Sequence, residues 1–109
     1  MAMLGDTITY DFTTHNPTTG QLQDADFLPT CAIFVEDSDT PMMTPVPIRR
    51  VGYPGTYKVT FVASAANGFA GSLSYNLDVI ATVKGVQATS RIAEFSLSVV
   101  PAVPVQFQI

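Results

Sequence analysis

Along residues 5–14, apolar and polar positions alternate. Ile8, Tyr10 and Phe12 fall on one side of an extended chain, and Thr7, Thr9, Asp11 and Thr13 on the other. This period of two predicts a strand with one buried and one wet face. Residues 56–62 repeat it, with Tyr57, Val59 and Phe61 sharing a face. So do residues 73–83, where Leu73, Tyr75, Leu77, Val79, Ala81 and Val83 oppose Ser74, Asn76, Asp78 and Thr82, with Ile80 interrupting the polar side. Residues 30–36 are apolar on both faces, which predicts a central strand. Residues 42–47 carry Pro45 and Pro47. Proline donates nothing to a ladder, so this segment is extended only at an edge. Residues 48–51 make a short strand.

Turn signals punctuate these runs. Asn16-Pro17-Thr18-Thr19-Gly20 is a turn cluster, and residues 21–29, with Asp24 and Asp26, read as irregular. The strongest signal is Gly52-Tyr53-Pro54-Gly55, in which Pro54 and Gly55 occupy the central positions of a type II turn. Gly52, Pro54 and Gly55 are therefore assigned structural turn roles. Residues 64–68 form one helical turn or a loop. Lys84-Gly85 is a two-residue hairpin loop, with Gly85 as its turn glycine. Counting outward from it pairs Val83 with Val86 and sets Asp78 opposite Arg91. The same register places Ala88, Ser90 and Ile92 on the core face, yet Phe95, Leu97 and Val99 carry the later apolar pattern, one step out of phase. A bulge near residues 92–94 reconciles the two, because one extra residue flips every later side chain.

Six or seven strands in about 100 residues predict an all-β, antiparallel β-sandwich. Residues 1–99 are assigned to it, and residues 100–109 to an extended, proline-containing tail. An OB-type barrel is the alternative, but its oligonucleotide face wants aromatics beside more basic residues than this chain has. In the tail, Pro101 and Pro104 exclude a central strand, while Val103, Val105, Phe107 and Ile109 still alternate. These four are candidate partner-binding residues, able to add a strand to a neighbour's exposed edge.

Composition narrows the function. Of 109 residues, 47% are apolar and only 13% charged, about half the usual ~25%. That excludes disorder. With two Glu and two Lys against 13 Thr and 12 Val, helical bundles are disfavoured and pleated surfaces favoured. The net charge of −4, from 5 basic and 9 acidic residues, argues against a basic nucleic-acid binder. No apolar run is long enough to span a membrane, and the first residues lack the basic and apolar regions of a signal peptide. The single cysteine, Cys31, has no partner for an internal disulfide and reads as a small buried hydrophobe.

Candidate chemistry is sparse. His15 is the only histidine and sits beside a turn. Asp37-Ser38-Asp39 lacks the glycine and later glutamate of a calcium loop. The carboxylates at Asp24, Asp26, Glu36, Asp37 and Asp39 read as solvated. Arg49 and Arg50 form the only basic doublet, assigned to an interface rim or to pairing with an acidic loop. No catalytic residue, metal site or cofactor is assigned, and the expectation is that the chain is not an enzyme.

The order of motifs is itself informative. Gly5-Asp6-Thr7 opens the first strand, and Val35-Glu36-Asp37 closes the apolar one. Val51-Gly52-Tyr53-Pro54-Gly55-Thr56-Tyr57, Ala65-Ala66-Asn67-Gly68-Phe69 with Gly71, Tyr75, Ala81-Thr82-Val83-Lys84-Gly85-Val86 and Ala93-Glu94-Phe95 follow. This arrangement resembles small Ig-like proteins of tailed bacteriophages, from about Gly5 to Leu97. The resemblance implies an Ig-like β-sandwich of about seven strands and a structural role in the virion. It implies a capsid decoration or cement protein on the major capsid protein shell, binding that or other virion proteins, as a homo-oligomer such as a trimer. The chain would assemble in the host cytoplasm and sit on the capsid surface, without nucleic acid or membrane. The alternative is a head- or tail-fibre adhesin module binding host carbohydrate, with Tyr10, Tyr53, Tyr57 and Phe69 as aromatic candidates.

Overall fold

The computed structural model describes residues 2–98. Its strands are β1 (Ala2–Met3), β2 (Thr7–Thr13), β3 (Thr30–Val35), β4 (Ile48–Arg49), β5 (Thr56–Val62), β6 (Ser74–Val83) and β7 (Val86–Ser98). One 3-10 turn covers Ala65–Asn67. The chain is all-β and forms two sheets, one in the order β1-β7-β6-β3 and one in the order β2-β5-β4. Every pairing is antiparallel except the short parallel contact of β1 with Leu97 and Ser98.

The alternating segments bury the faces their pattern predicts. Phe12, Tyr57, Val59 and Phe61 come from the three-stranded sheet, and Ile33, Tyr75, Leu77, Val79 and Leu97 from the four-stranded one; all join one core. The two sheets thus face each other in a sandwich-like arrangement. Aromatic rings fill the space at one end. Phe61 lies 5.9 Å from Phe69 and 5.6 Å from Phe95, while Tyr75 lies 5.0 Å from Phe69 and 5.5 Å from Phe95, between centroids. Such pairs contribute about 0.5–1.5 kcal/mol each beyond the area they bury. Tyr75 is wholly buried, so its hydroxyl needs partners. It accepts the Ala70 N–H at 2.8 Å and donates to the Ala70 carbonyl at 3.2 Å, five residues back along the chain.

The hairpin register is as counted. Val83 pairs with Val86 around Lys84 and Gly85, whose φ values are +51° and +76°, as a primed hairpin turn requires. Asp78 stands opposite Arg91, joined at 2.9 Å. The register shifts between Leu77, paired with Ala93, and Asp78, paired with Arg91, so Ile92 is the extra residue of a bulge. Beyond it, Phe95 and Leu97 turn into the core.

One placement differs from the sequence expectation. β3 is not central; it ends its sheet, paired only with β6. Its two-sided apolar pattern has another source. The Ile33 N–H donates to the Met43 carbonyl and the Met42 N–H to the Ile33 carbonyl, both at 2.8 Å. The segment at residues 42–47 thus covers the outer edge of β3, with Pro45 and Pro47 buried. Leu73 is also exposed and lies just outside β6. Val99 and the tail positions Val103, Val105, Phe107 and Ile109 lie outside the described residues.

Candidate interaction surface

The basic doublet lies on β4 and just after it, among exposed apolar side chains. Val46, Ile48, Val51 and Tyr53 are 70%, 60%, 88% and 62% exposed. Arg49 and Arg50 do not project freely beside them. Arg49 Nε donates to Asp24 at 2.8 Å, and Arg50 reaches Asp11 at 3.1 Å with its guanidinium 5.9 Å from the Tyr53 ring centre. The surface here is an apolar strip whose two cations are each neutralised by a carboxylate. Exposed pairs of this kind contribute roughly 0–1 kcal/mol to stability. They also reduce the cost of covering the strip, because the charges are already partnered.

The turn after β4 is braced from a distance. The Thr56 N–H donates to the Tyr53 carbonyl at 3.2 Å, and Gly55, at the third position, has φ +69°. Pro54 thus precedes a glycine in the conformation a type II turn needs. The Gly55 N–H donates to Asp24 Oδ1 at 2.6 Å. This bond, with Arg49 adding to it, holds the Asp24 carboxyl below its usual range. A Cβ on Gly55 would stand 2.7 Å from both the Gln23 nitrogen and the Thr14 oxygen, so the backbones of Thr14 and Gln23 pack directly on the turn. Asp26 does the equivalent work at the hairpin. Its two carboxylate oxygens accept the Lys84 and Gly85 N–H groups, each at 2.9 Å. These two roles were invisible in the sequence, where Asp24 and Asp26 sit in a polar stretch without periodicity. An aspartate two residues from another, before a strand, was the only signal.

Between β2 and the hairpin lies an open cleft of about 470 Å³, with Phe12, Val79, Val83, Val86, Ala88 and Ile92 among its walls. Ala88 and Ser90 are on the inner face, as the register predicts, but are exposed. They line the cleft across from Asp11, Phe12 and Thr13 of β2.

The remaining candidates are placed as follows. Cys31 is buried, and burial pushes its thiol pKa up to about 11, so the reactive thiolate is suppressed at neutral pH. His15 is exposed and forms an isolated bridge with Leu22. Glu36, Asp37, Ser38 and Asp39 border a polar recess with Asn76, Arg91 and Glu94; among the described residues no group of three His, Cys, Asp or Glu is placed to hold a metal. Among them, too, no helix is long and apolar enough to cross a membrane. Of the four aromatic candidates for stacking on sugars, Tyr57 and Phe69 are buried and Tyr10 is half-buried against Phe61 and Phe95. The Tyr57 hydroxyl accepts the Ala25 N–H at 3.0 Å. Tyr53 alone of the four is exposed.

No family model, curated protein or solved structure matches the chain.

Proposed function

We propose that this chain is a structural protein of a tailed-bacteriophage virion, a decoration or cement protein that binds the major capsid protein shell and reinforces it. The Ig-like fold that this reading requires has two supports. The orders β2-β5-β4 and β3-β6-β7 match strands B-E-D and C-F-G of an immunoglobulin constant-type sandwich. The Tyr75 hydroxyl, near the start of the sixth strand and bonded back to Ala70, matches the tyrosine corner of that fold.

The observation that carries a binding role is the strip at Val46, Ile48, Val51 and Tyr53. Four exposed apolar residues within eight positions, flanked by neutralised arginines, make a surface that gains by being covered. An exposed strip of this kind suits a large protein partner better than a small ligand, which takes a concave site. The adhesin alternative rests on Tyr53 alone.

The test is saturable binding to empty shells followed by particle composition. The chain is expected in stoichiometric amount in purified particles, and Val51→Asp with Ile48→Asp is expected to lower occupancy at least tenfold while leaving the fold intact. Particles that lack the chain, or occupancy unchanged by both substitutions, would overturn the reading.

A further inference from the structure

The longest open edge of either sheet belongs to β7. β1 covers only its end, at Leu97 and Ser98, and among the described residues no backbone group pairs with the outer side of residues 86–96. The β2 edge is open too, but β2 is seven residues long. Which groups β7 presents follows from the ladder. The Thr82 carbonyl accepts the Asp26 N–H at 2.7 Å, and the Ser74 carbonyl accepts the Glu36 N–H at 2.9 Å. Both point away from β7, so their ladder partners Gln87 and Ser96 point their own N–H and C=O groups away from β6. Alternation from Gln87 adds Thr89 and Arg91, and alternation from Ser96 adds Glu94. The outward residues are thus odd-numbered before the bulge at Ile92 and even-numbered after it.

A bulge ordinarily blunts an edge. A regular strand keeps its outward groups at every second residue, so it matches one half of β7 and falls out of phase with the other. A second β7, antiparallel about a two-fold axis between Ile92 and Ala93, stays in phase with both halves. It sets Arg91 opposite Glu94 of the second copy and Thr89 opposite its Ser96, and symmetry repeats both pairs beyond the axis. All of these residues point outward, so each pair can exchange two backbone bonds. The span from Arg91 to Glu94 holds the bulge in both strands, so the two lengths match.

Charge selects the same register. Arg91 and Glu94 lie opposite Asp78 and Asn76, and both are exposed. Asp78 takes Arg91 Nε at 2.9 Å and Nη2 at 3.4 Å, which leaves Nη1 for another carboxylate. Glu94 takes part in none of the ion pairs among the described residues. A two-fold axis at Arg91 or at Glu94 would instead set like charges opposite each other. An axis at Thr89 would use only the residues before the bulge. On the inner face, the exposed Ala88 and Ser90 gain Leu97 and Phe95 of the second copy as cross-strand neighbours. The β2 edge offers no such match, since residues 7–13 hold Asp11 and no cation.

We infer that the chain forms a two-fold dimer in which the β7 strands of two copies pair antiparallel, with Arg91 of each facing Glu94 of the other. This self-association goes beyond the capsid reading and is measured in solution without particles, so either can fail alone.

The test exchanges charges in the 109-residue chain. Arg91→Glu sets glutamates opposite each other across the axis, and Glu94→Arg sets arginines. Sedimentation velocity should show concentration-dependent dimers of the unmodified chain and at least tenfold weaker association of each variant alone. An equimolar mixture of the two variants should form 1:1 heterodimers, because every glutamate then faces an arginine. Thr89→Pro removes one outward N–H and breaks no bond to β6, so it too should weaken association at least tenfold. Amide spectra verify the fold of each variant. Ser96→Pro replaces Thr89→Pro if that variant misfolds, and the proline result decides if a charge variant misfolds. A monomeric unmodified chain, dimers unaffected by the proline variant (another surface), or folded charge variants that do not complement would overturn the inference.

Discussion

In the second half of β7, Ala93, Phe95 and Leu97 turn inward and are buried or half-buried; in the first half, Val86, Ala88 and Ser90 turn inward and are exposed. The two halves belong to one strand, paired throughout with β6. What differs is the cover above them. Beyond the bulge at Ile92, the rings of Tyr10, Phe61 and Phe69 close over Phe95, with Tyr75 beside it in the same sheet. Before it, β2 ends its sheet and leaves the cleft. Inward orientation, which the register sets, is thus distinct from burial, which needs an element on the other side.

Substitutions can break this contrast. The largest effect is expected at Tyr75. Tyr75→Ala removes a wholly buried ring and should destabilise by about 3–5 kcal/mol, whereas Val86→Ala at the open end should cost less than about 1 kcal/mol. Urea unfolding midpoints of the two variants check it. Similar losses would mean that the hairpin end is covered in the isolated chain.

The two turn glycines offer a second, smaller contrast. Gly55 and Gly85 both have positive φ, but a Cβ on Gly55 meets backbone at 2.7 Å while one on Gly85 meets nothing within 4 Å. Gly55→Ala should cost on the order of 3 kcal/mol, from strain and backbone displacement together. Gly85→Ala should cost about 1 kcal/mol, from conformation alone. Thermal unfolding of both variants compares them.

The smallest effect concerns pH. Asp24 has its folded pKa lowered, first by the Gly55 N–H and then by Arg49. It therefore contributes stability that is present above the unfolded carboxylate pKa and lost as pH falls through the lower folded value. Asp24→Asn should flatten the acid side of the stability curve between those two values, measured by urea titrations across the acidic range. A curve unchanged by Asp24→Asn would remove the Gly55 contact from the account.

How much of this was legible in the sequence depended on locality. The strands at residues 7–13 and 56–62, the Lys84-Gly85 hairpin, the Asp78–Arg91 pair and the bulge follow from period and from counting along a ladder, which are local rules. The edge position of β3 did not, because a two-sided apolar pattern looks the same whether a strand or the 42–47 segment lies beside it. The bonds from Asp24 to Gly55 and from Asp26 to the hairpin turn span 31 and 58 residues, and no periodicity encodes them. Of the candidate surface, Arg49 and Arg50 were picked out by charge. The strip around them was not, since exposure of Val46, Ile48 and Val51 depends on what β4 fails to pack against.

The most direct measurement of an open β2 edge is residue-resolved amide hydrogen exchange across a dilution series of the 109-residue chain. Ile8, Tyr10 and Phe12, bonded to β5, should be protected at every concentration. Thr7, Thr9, Asp11 and Thr13, whose N–H groups the ladder leaves outward, should exchange freely. Equal protection of both sets would contradict the account.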